Sequence, residues 1–347
     1  MSEGQSNDGR PAPAFHAGLV LDGRYRLERP LGEGGMGAVW VAYQLALQRE
    51  VAVKVLHFSA ESSRARLRDE ALALAAVRHP AVVQVYDYGE MEGGVPYVVM
   101  ELVAGEPLGA HLGRVGTLPA DEAVALVLPI LEGLAAAHRA GIIHRDIKPE
   151  NVILAPGPTG VGPKLLDFGI SRRGHAGASR LTADGSILGT PAYMAPEQVR
   201  GVEVDERADV WAVGVLLYEL LAGTTPFAAD NVFVVIRGVL DKTPSYPRGA
   251  RGLDGRLWAI LMAALRKDPA DRTASAPAMR DALAGWLEAR KAGPAPRAAA
   301  PAVLPVEVSA RLAPTLAAGP GSETSLVSAE DAPSSIDALI RAKLGAG

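Results

Sequence analysis

Apolar and polar positions alternate in short runs through the first hundred residues, and beyond them apolar positions recur three and four apart. The runs at 25–31, 38–43, 50–56, 82–88 and 97–102 are rich in Val and Tyr and bounded by Gly or Pro, which predicts strands. Within 50–56 the alternation puts Val51 and Val53 on one face and Ala52 and Lys54 on the other. One helical pattern interrupts the strands at about 63–77, with Leu67, Leu72 and Leu74 along it, and His79-Pro80 stops it. After residue 105 helical patterns dominate, at 120–140, 205–222, 232–240, 257–265 and 276–291. The change of period predicts an α+β chain. A β-rich lobe with one main helix, about 19–103, precedes a larger helical lobe, about 105–290, and the cleft between them suits a small ligand.

The two ends read differently. Residues 1–18 are polar with Pro and Gly and lack a basic start followed by an apolar run, so a flexible leader is expected rather than a signal peptide. Residues 291–347 are rich in Ala and Pro, then in Ser and Ala, which predicts a disordered tail. Ile336, Leu339, Ile340 and Leu344 near its end stand at helical spacing, as a short amphipathic helix or as a frayed terminus.

Composition narrows the function classes. Of the 347 residues 48% are hydrophobic and 21% charged, enough apolar material for a substantial core. The net charge of −4 gives no bias toward nucleic acid or anionic membranes. With no cysteine, disulfides, thiolate metal sites and cysteine nucleophiles are excluded. The longest apolar stretch, 210–222, contains Glu219 and follows Asp209, so it reads as a buried helix and not as a membrane span. A cytoplasmic protein without membrane insertion is expected.

Three motifs carry candidate chemistry. Leu31-Gly32-Glu33-Gly34-Gly35-Met36-Gly37-Ala38-Val39 sets G-x-G-x-x-G-x-V between two predicted strands. Glycine lets a backbone approach phosphate without a Cβ in the way, and a ligand-free Gly-rich hairpin is the competing reading. A dinucleotide loop would need a helix directly after it, whereas a strand follows here. Val51-Ala52-Val53-Lys54 lies on the next strand, where Lys54 faces either a nucleotide cleft or solvent. Ile143-His144-Arg145-Asp146-Ile147-Lys148-Pro149-Glu150-Asn151 is the third, and Asp167-Phe168-Gly169 begins sixteen residues after Asn151.

With that ordered set, residues 19–290 resemble the protein-kinase family, in particular the bacterial eukaryotic-like (Hanks-type) Ser/Thr kinases. The resemblance implies a two-lobed protein-kinase fold and transfer of the γ-phosphoryl group of ATP to Ser/Thr hydroxyls of protein substrates. It implies that Asp146 orients the acceptor hydroxyl and takes its proton. Asn151 and Asp167 would hold Mg²⁺, with Mn²⁺ as an alternative. Lys54, steadied by Glu70, would hold the α/β-phosphates. The backbone from Gly32 to Gly37 would cover the triphosphate. Met100 would stand at the back of the adenine pocket, the backbone of Glu101 and Val103 at its edge, and Val39 and Ala52 against the ring, with Leu31 a further ATP-binding residue.

The resemblance also bears on the acceptor and on regulation. Lys148, two residues after Asp146, would neutralise charge developing on the γ-phosphate, and Thr190 in Gly189-Thr190-Pro191 would bond Asp146 and Lys148. Both mark Ser/Thr acceptors. Ala195-Pro196-Glu197 closes the activation segment. Structural roles are implied for Glu197, paired with Arg272, and for Asp209, bonded to the catalytic-loop backbone. Arg145 and Arg172 would face an anion on the activation segment. Thr182 is the expected autophosphorylation site, Ser186 a further candidate, and Asp184 a source of partial constitutive activation. A homodimer would serve trans-autophosphorylation. Two other readings compete. A pseudokinase would lack one of Lys54, Asp146, Asn151 or Asp167, and a small-molecule phosphotransferase would lack Ala-Pro-Glu and a long activation loop; none of these is missing.

Overall fold

The computed structural model describes residues 15–34, 37–56, 61–91, 94–157, 160–168 and 191–292. By internal contacts the chain divides into two units, Met1–Leu287 and Glu288–Gly347. The predicted amphipathic segment near the C-terminus lies outside the described residues.

A six-stranded antiparallel sheet forms first. It comprises β1 (Val20–Leu21), β2 (Tyr25–Gly34), β3 (Gly37–Gln44), β4 (Arg49–Leu56), β5 (Val85–Glu90) and β6 (Pro96–Met100), in the spatial order β1-β2-β3-β4-β6-β5. Helix α1 (Glu61–Ala76) is inserted between β4 and β5. The alternation read in β4 holds. Val51, Val53 and Val55 join Leu27, Trp40, Tyr97 and Val99 on one face, while Ala52 and Leu56 meet Leu67 and Leu74 of α1 on the other. Leu72 of the same helix is exposed.

Residues 101–105 lead out of this sheet. At Gly105 φ is +156°, and a Cβ would stand 2.3 Å from the Leu154 carbonyl oxygen, so the chain crosses here on a residue without one. Then follow β7 (Glu106–Pro107), α2 (Leu108–Val115), α3 (Ala120–Arg139), a single 3₁₀ turn (Pro149–Asn151) and the hairpin β8 (Val152–Gly157) and β9 (Gly160–Leu165). The strands β7, β8 and β9 make a small second sheet. A further 3₁₀ turn (Pro191–Tyr193), α4 (Pro196–Arg200), α5 (Arg207–Ala222), α6 (Val232–Asp241), α7 (Gly255–Ala264) and α8 (Ala276–Lys291) complete the helical lobe. Helix α5 is buried on nearly every side, with Val210, Trp211, Val213, Leu216, Leu217 and Leu220 inaccessible, as expected of an apolar helix at the centre of a lobe.

One predicted strand begins later than its pattern. The run at 82–88 pairs as a strand only from Val85. Before that, the Val83 N–H donates to the Leu165 carbonyl and the Leu165 N–H to the Ala81 carbonyl, so Ala81–Val83 is tied to the strand entering the site. The small sheet and α2 went unread: β7 is two residues long, Gly and Pro interrupt β8 and β9, and α2 spans only eight residues.

Candidate active site

Six polar or charged residues are buried among the described residues: His144, Asn151, Glu197, Gln198, Asp209 and Arg272. A buried polar group must be hydrogen-bonded or it costs stability. His144 and Asn151 lie in the segment 144–151, Asp209 and Gln198 bond its backbone, and Arg272 pairs with Glu197 beside Gln198.

Asp209, in the first turn of α5, is the anchor. Its carboxylate accepts from the backbone N–H of His144 at 2.8 Å and of Arg145 at 2.8 Å, and is 2.8 Å from His138 Nε2. Burial pushes its carboxyl upward, but the His138 bond, the histidine charges and the Arg145 N–H outweigh this and hold it below the usual carboxylate value. The His144 ring is set from two sides. Its Nδ1 accepts from the Asp146 N–H at 3.3 Å, so Nε2 carries the proton donated to the Leu166 carbonyl at 2.8 Å. Burial holds this ring below the ordinary histidine value, against the pull of Asp209 and Asp146. Phe168 packs on it at 4.5 Å between centroids and is itself buried.

Two residues of the site hold backbone conformations that side chains other than glycine rarely adopt, Arg145 at φ +64° and Asp167 at φ +49°. Asn151 donates its side-chain N–H to the Asp146 carbonyl at 2.7 Å and to Asp146 Oδ2 at 3.1 Å, which turns its amide oxygen the other way. Lys148 Nζ lies 3.5 Å from Asp146 Oδ2. Lys54 Nζ lies 2.8 Å from Asp167 Oδ1, with the lysine only 17% exposed. Glu70 is half-buried on α1. Lys54, Asp167 and Phe168 line one pocket with Leu56, Leu74, Val98 and Met100.

Next to Met100 in the chain, the Glu101 N–H donates to the Gln84 carbonyl at 2.9 Å. The Glu101 carboxylate meets Lys164 Nζ at 2.7 and 2.8 Å, which links the segment between the lobes to β9. Val39, Leu102, Val103 and Leu154 pack against the same core as Ala52 and Met100. Leu31, Gly32 and Glu33 are exposed on β2. Gly34 and Gly37 face each other across the hairpin; Gly35 and Met36 lie outside the described residues. Gly37 has φ +142°, and a Cβ there would stand 1.9 Å from the Val55 carbonyl oxygen. Thr182, Asp184, Ser186, Thr190 and Arg172 also lie outside the described residues.

The donor set fits Mg²⁺ and a nucleotide triphosphate. Among the described residues no group of three or more His, Cys, Asp or Glu side chains stands together to cage a metal. Mg²⁺ is usually held by one or two carboxylates with the remaining positions taken by phosphate and water, which is what Asp167 and the Asn151 oxygen offer. Lys54 beside Asp167 supplies a cation for phosphate, and the apolar wall of Ala52, Val98 and Met100 suits a base.

The segment after 190 is fastened to the same centre. Arg272 forks onto Glu197, at 2.7 and 2.9 Å, with both side chains buried. Gln198 accepts from the Ala195 N–H at 2.9 Å and donates to the Arg145 carbonyl at 3.1 Å. The sequence reading reached Glu197, Arg272 and Asp209 through the resemblance but missed His138, Lys164 and Gln198. A polar residue on a helix or strand reads as solvated unless its neighbours in space are known.

Two lobes, a glycine hairpin over a lysine strand, and a clamped aspartate loop define a protein kinase. A family profile described as the protein kinase domain matches residues 25–283, and the chain belongs to that family. Within it the chain falls among the bacterial Hanks-type serine/threonine kinases. It is 44% identical over 277 residues to serine/threonine-protein kinase pkn2 of Myxococcus xanthus, covering 77% of this chain and 33% of that protein. To serine/threonine-protein kinase PknL of Mycobacterium tuberculosis it is 41% identical over 266 residues, covering 75% and 65%. To PknA of the same species it is 38% identical over 309 residues, covering 85% and 70%. The chain thus spans only a third to two thirds of the first two of these relatives. No helix among the described residues is long and apolar enough to cross a membrane.

Proposed function

We propose that the chain transfers the γ-phosphoryl group of ATP to Ser/Thr hydroxyls of protein substrates in the cytoplasm, and that phosphorylation of its own activation segment raises its activity. What carries the reading is one convergence: Lys54 on Asp167 at 2.8 Å, and Asn151 on Asp146 at 3.1 Å. Phosphoryl transfer asks for alignment and charge neutralisation more than for covalent work by the protein. Mg²⁺ (or Mn²⁺), which Asn151 and Asp167 would hold, would supply positive charge against that of the phosphates. Asp146, fixed by Asn151 and the backbone around it, orients the acceptor hydroxyl and takes its proton. Lys148 adds positive charge beside it. Asn151 and Asp167 offer oxygen to the metal, and Lys54 holds the α/β-phosphates. The backbone of Gly32–Gly37 covers the triphosphate. Met100, the Glu101 and Val103 backbone, Leu31, Val39 and Ala52 enclose the base. Glu70 steadies Lys54.

In this reading residues 19–290 are the catalytic domain, 1–18 a leader and 291–347 a tail. Thr182 or Ser186 is the regulatory phosphosite, Thr190 bonds the catalytic loop, and two copies phosphorylate one another. The test is incubation of the full chain with labelled ATP, Mg²⁺ and a generic basic protein. Label is expected on both proteins, and Asp146→Asn should lower the rate by about 100-fold or more. Label that persists at the wild-type rate in that variant sinks the mechanism. Thr182→Ala with unchanged phosphate content and activity removes Thr182 as the switch.

A further inference from the structure

The peptide bond between Arg145 and Asp146 is held at both of its polar atoms. Its N–H donates to His144 Nδ1 at 3.3 Å, and its carbonyl accepts from Gln198 Nε2 at 3.1 Å. Arg145 itself sits at φ +64°, a conformation that persists only when the surroundings over-determine it. Its N–H is fixed on Asp209, so Gln198 supplies the second restraint on this strained residue. Gln198 is 4% exposed, and the other end of its amide is spent on the Ala195 N–H at 2.9 Å. Both ends of one amide therefore join the segment after the activation loop to the peptide that aims Asp146. Neither Glu197 nor Arg272, which fasten the same short helix, touches the catalytic loop backbone by any bond described.

We propose that Gln198 is a positioning residue for Asp146: its side-chain N–H sets the plane of the Arg145–Asp146 peptide and so the direction of the catalytic carboxylate. The proposal rests on the kinase reading above. It predicts a loss confined to turnover, because Gln198 has no contact with the nucleotide pocket. A misplacement of about 1 Å at a reacting group costs about 100-fold in rate. Gln198→Met keeps length and removes both hydrogen bonds; Gln198→Glu keeps the acceptor and loses the donor. When protonated, the introduced carboxyl regains a donor for the Arg145 carbonyl, and burial against that carbonyl favours the protonated form.

The experiment measures kcat, KM for ATP and calorimetric Mg·ADP binding on the full chain, wild type and both variants, from pH 6 to 8.5. Expected are a kcat about 10- to 100-fold lower in Gln198→Met, with KM for ATP and Mg·ADP affinity within about twofold of wild type. For Gln198→Glu the ratio of its kcat to the wild-type value should climb as pH falls. Wild-type kcat in Gln198→Met, or a Gln198→Glu ratio flat across the range, overturns the proposal. Mg·ADP binding reports folding of each variant independently, and should Gln198→Met fail to bind, the pH profile of Gln198→Glu decides alone. A wild-type chain that transfers no phosphate would instead refute the kinase reading. Faster amide exchange at Asp146 in Gln198→Met would then still support the restraint, and unchanged exchange would remove it.

Discussion

A histidine with no solvent contact has to settle on one tautomer and stay neutral. His144 does so by accepting from Asp146 and donating to Leu166, with Phe168 over its ring. Its folded value is depressed by burial, so between the unfolded histidine value and its own it binds a proton only when unfolded. Stability conferred by the neutral ring is therefore full above about pH 6.5 and declines as pH falls below it. Urea midpoints from pH 7.5 to 5 should drop more steeply in the wild type than in His144→Phe, whose own midpoint at pH 7.5 is lower through the lost hydrogen bonds. Equal slopes would assign the acid sensitivity elsewhere. Gly37 is constrained in another way, since a methyl would meet the Val55 carbonyl oxygen at 1.9 Å. Gly37→Ala must displace β3 from β4 locally, and weaker Mg·ADP binding by calorimetry is the expected outcome. The sequence marked both residues through their motifs. It did not mark Gln198 or His138, because a lone polar residue between apolar ones gives no sign of which distant backbone group it meets.

At the scale of elements, alternation and helical spacing placed most strands and helices, and the failures have a common cause. Residues 82–84 look like strand but spend their backbone groups on three different partners, the His79 carbonyl, Leu165 of β9 and Glu101, and periodicity in one segment carries no record of its partner. Strands as short as β1 and β7 are too brief for any period to register. Element packing also creates a link that the motifs do not contain. β9 carries Lys164 into contact with Glu101 and ends two residues before Asp167, so one strand ties the segment between the lobes to the neighbourhood of Asp167. Lys164→Met should weaken Mg·ADP binding by about fivefold, the effect of roughly 1 kcal/mol for a partly buried ion pair. Lys164→Arg should restore most of it, and calorimetry on the three proteins decides.

For the whole molecule, the division into a sheet lobe and a helical lobe was legible from the change of period alone. The helical lobe was further legible in its centre, because α5 is apolar all round. What periodicity could not supply is the fastening of the segment after residue 190, where Glu197 and Arg272 are 75 residues apart in sequence. Removing one partner of such a buried pair costs about 3–5 kcal/mol, since the other is left uncompensated. Arg272→Met should lower Tm accordingly by differential scanning calorimetry. A ligand that bridges the two lobes acts in the opposite sense. Mg·ADP at 100 times its Kd should add about 2.7 kcal/mol, or about 5–10 °C in Tm, and Asp167→Asn should abolish most of that rise.

The Glu101 N–H spent on Gln84 has a consequence for which nucleotide is accepted. With that donor spent, the residue would, in the proposed binding mode, present only a hydrogen-bond acceptor to the edge of a purine. A 6-amino group meets it as a donor, whereas the 6-oxo group of guanine or hypoxanthine would set one lone pair against another. The Glu101 carbonyl would thereby select adenine over the oxopurines, and substituting GTP or ITP for ATP in the transfer assay should raise KM well above its value for ATP.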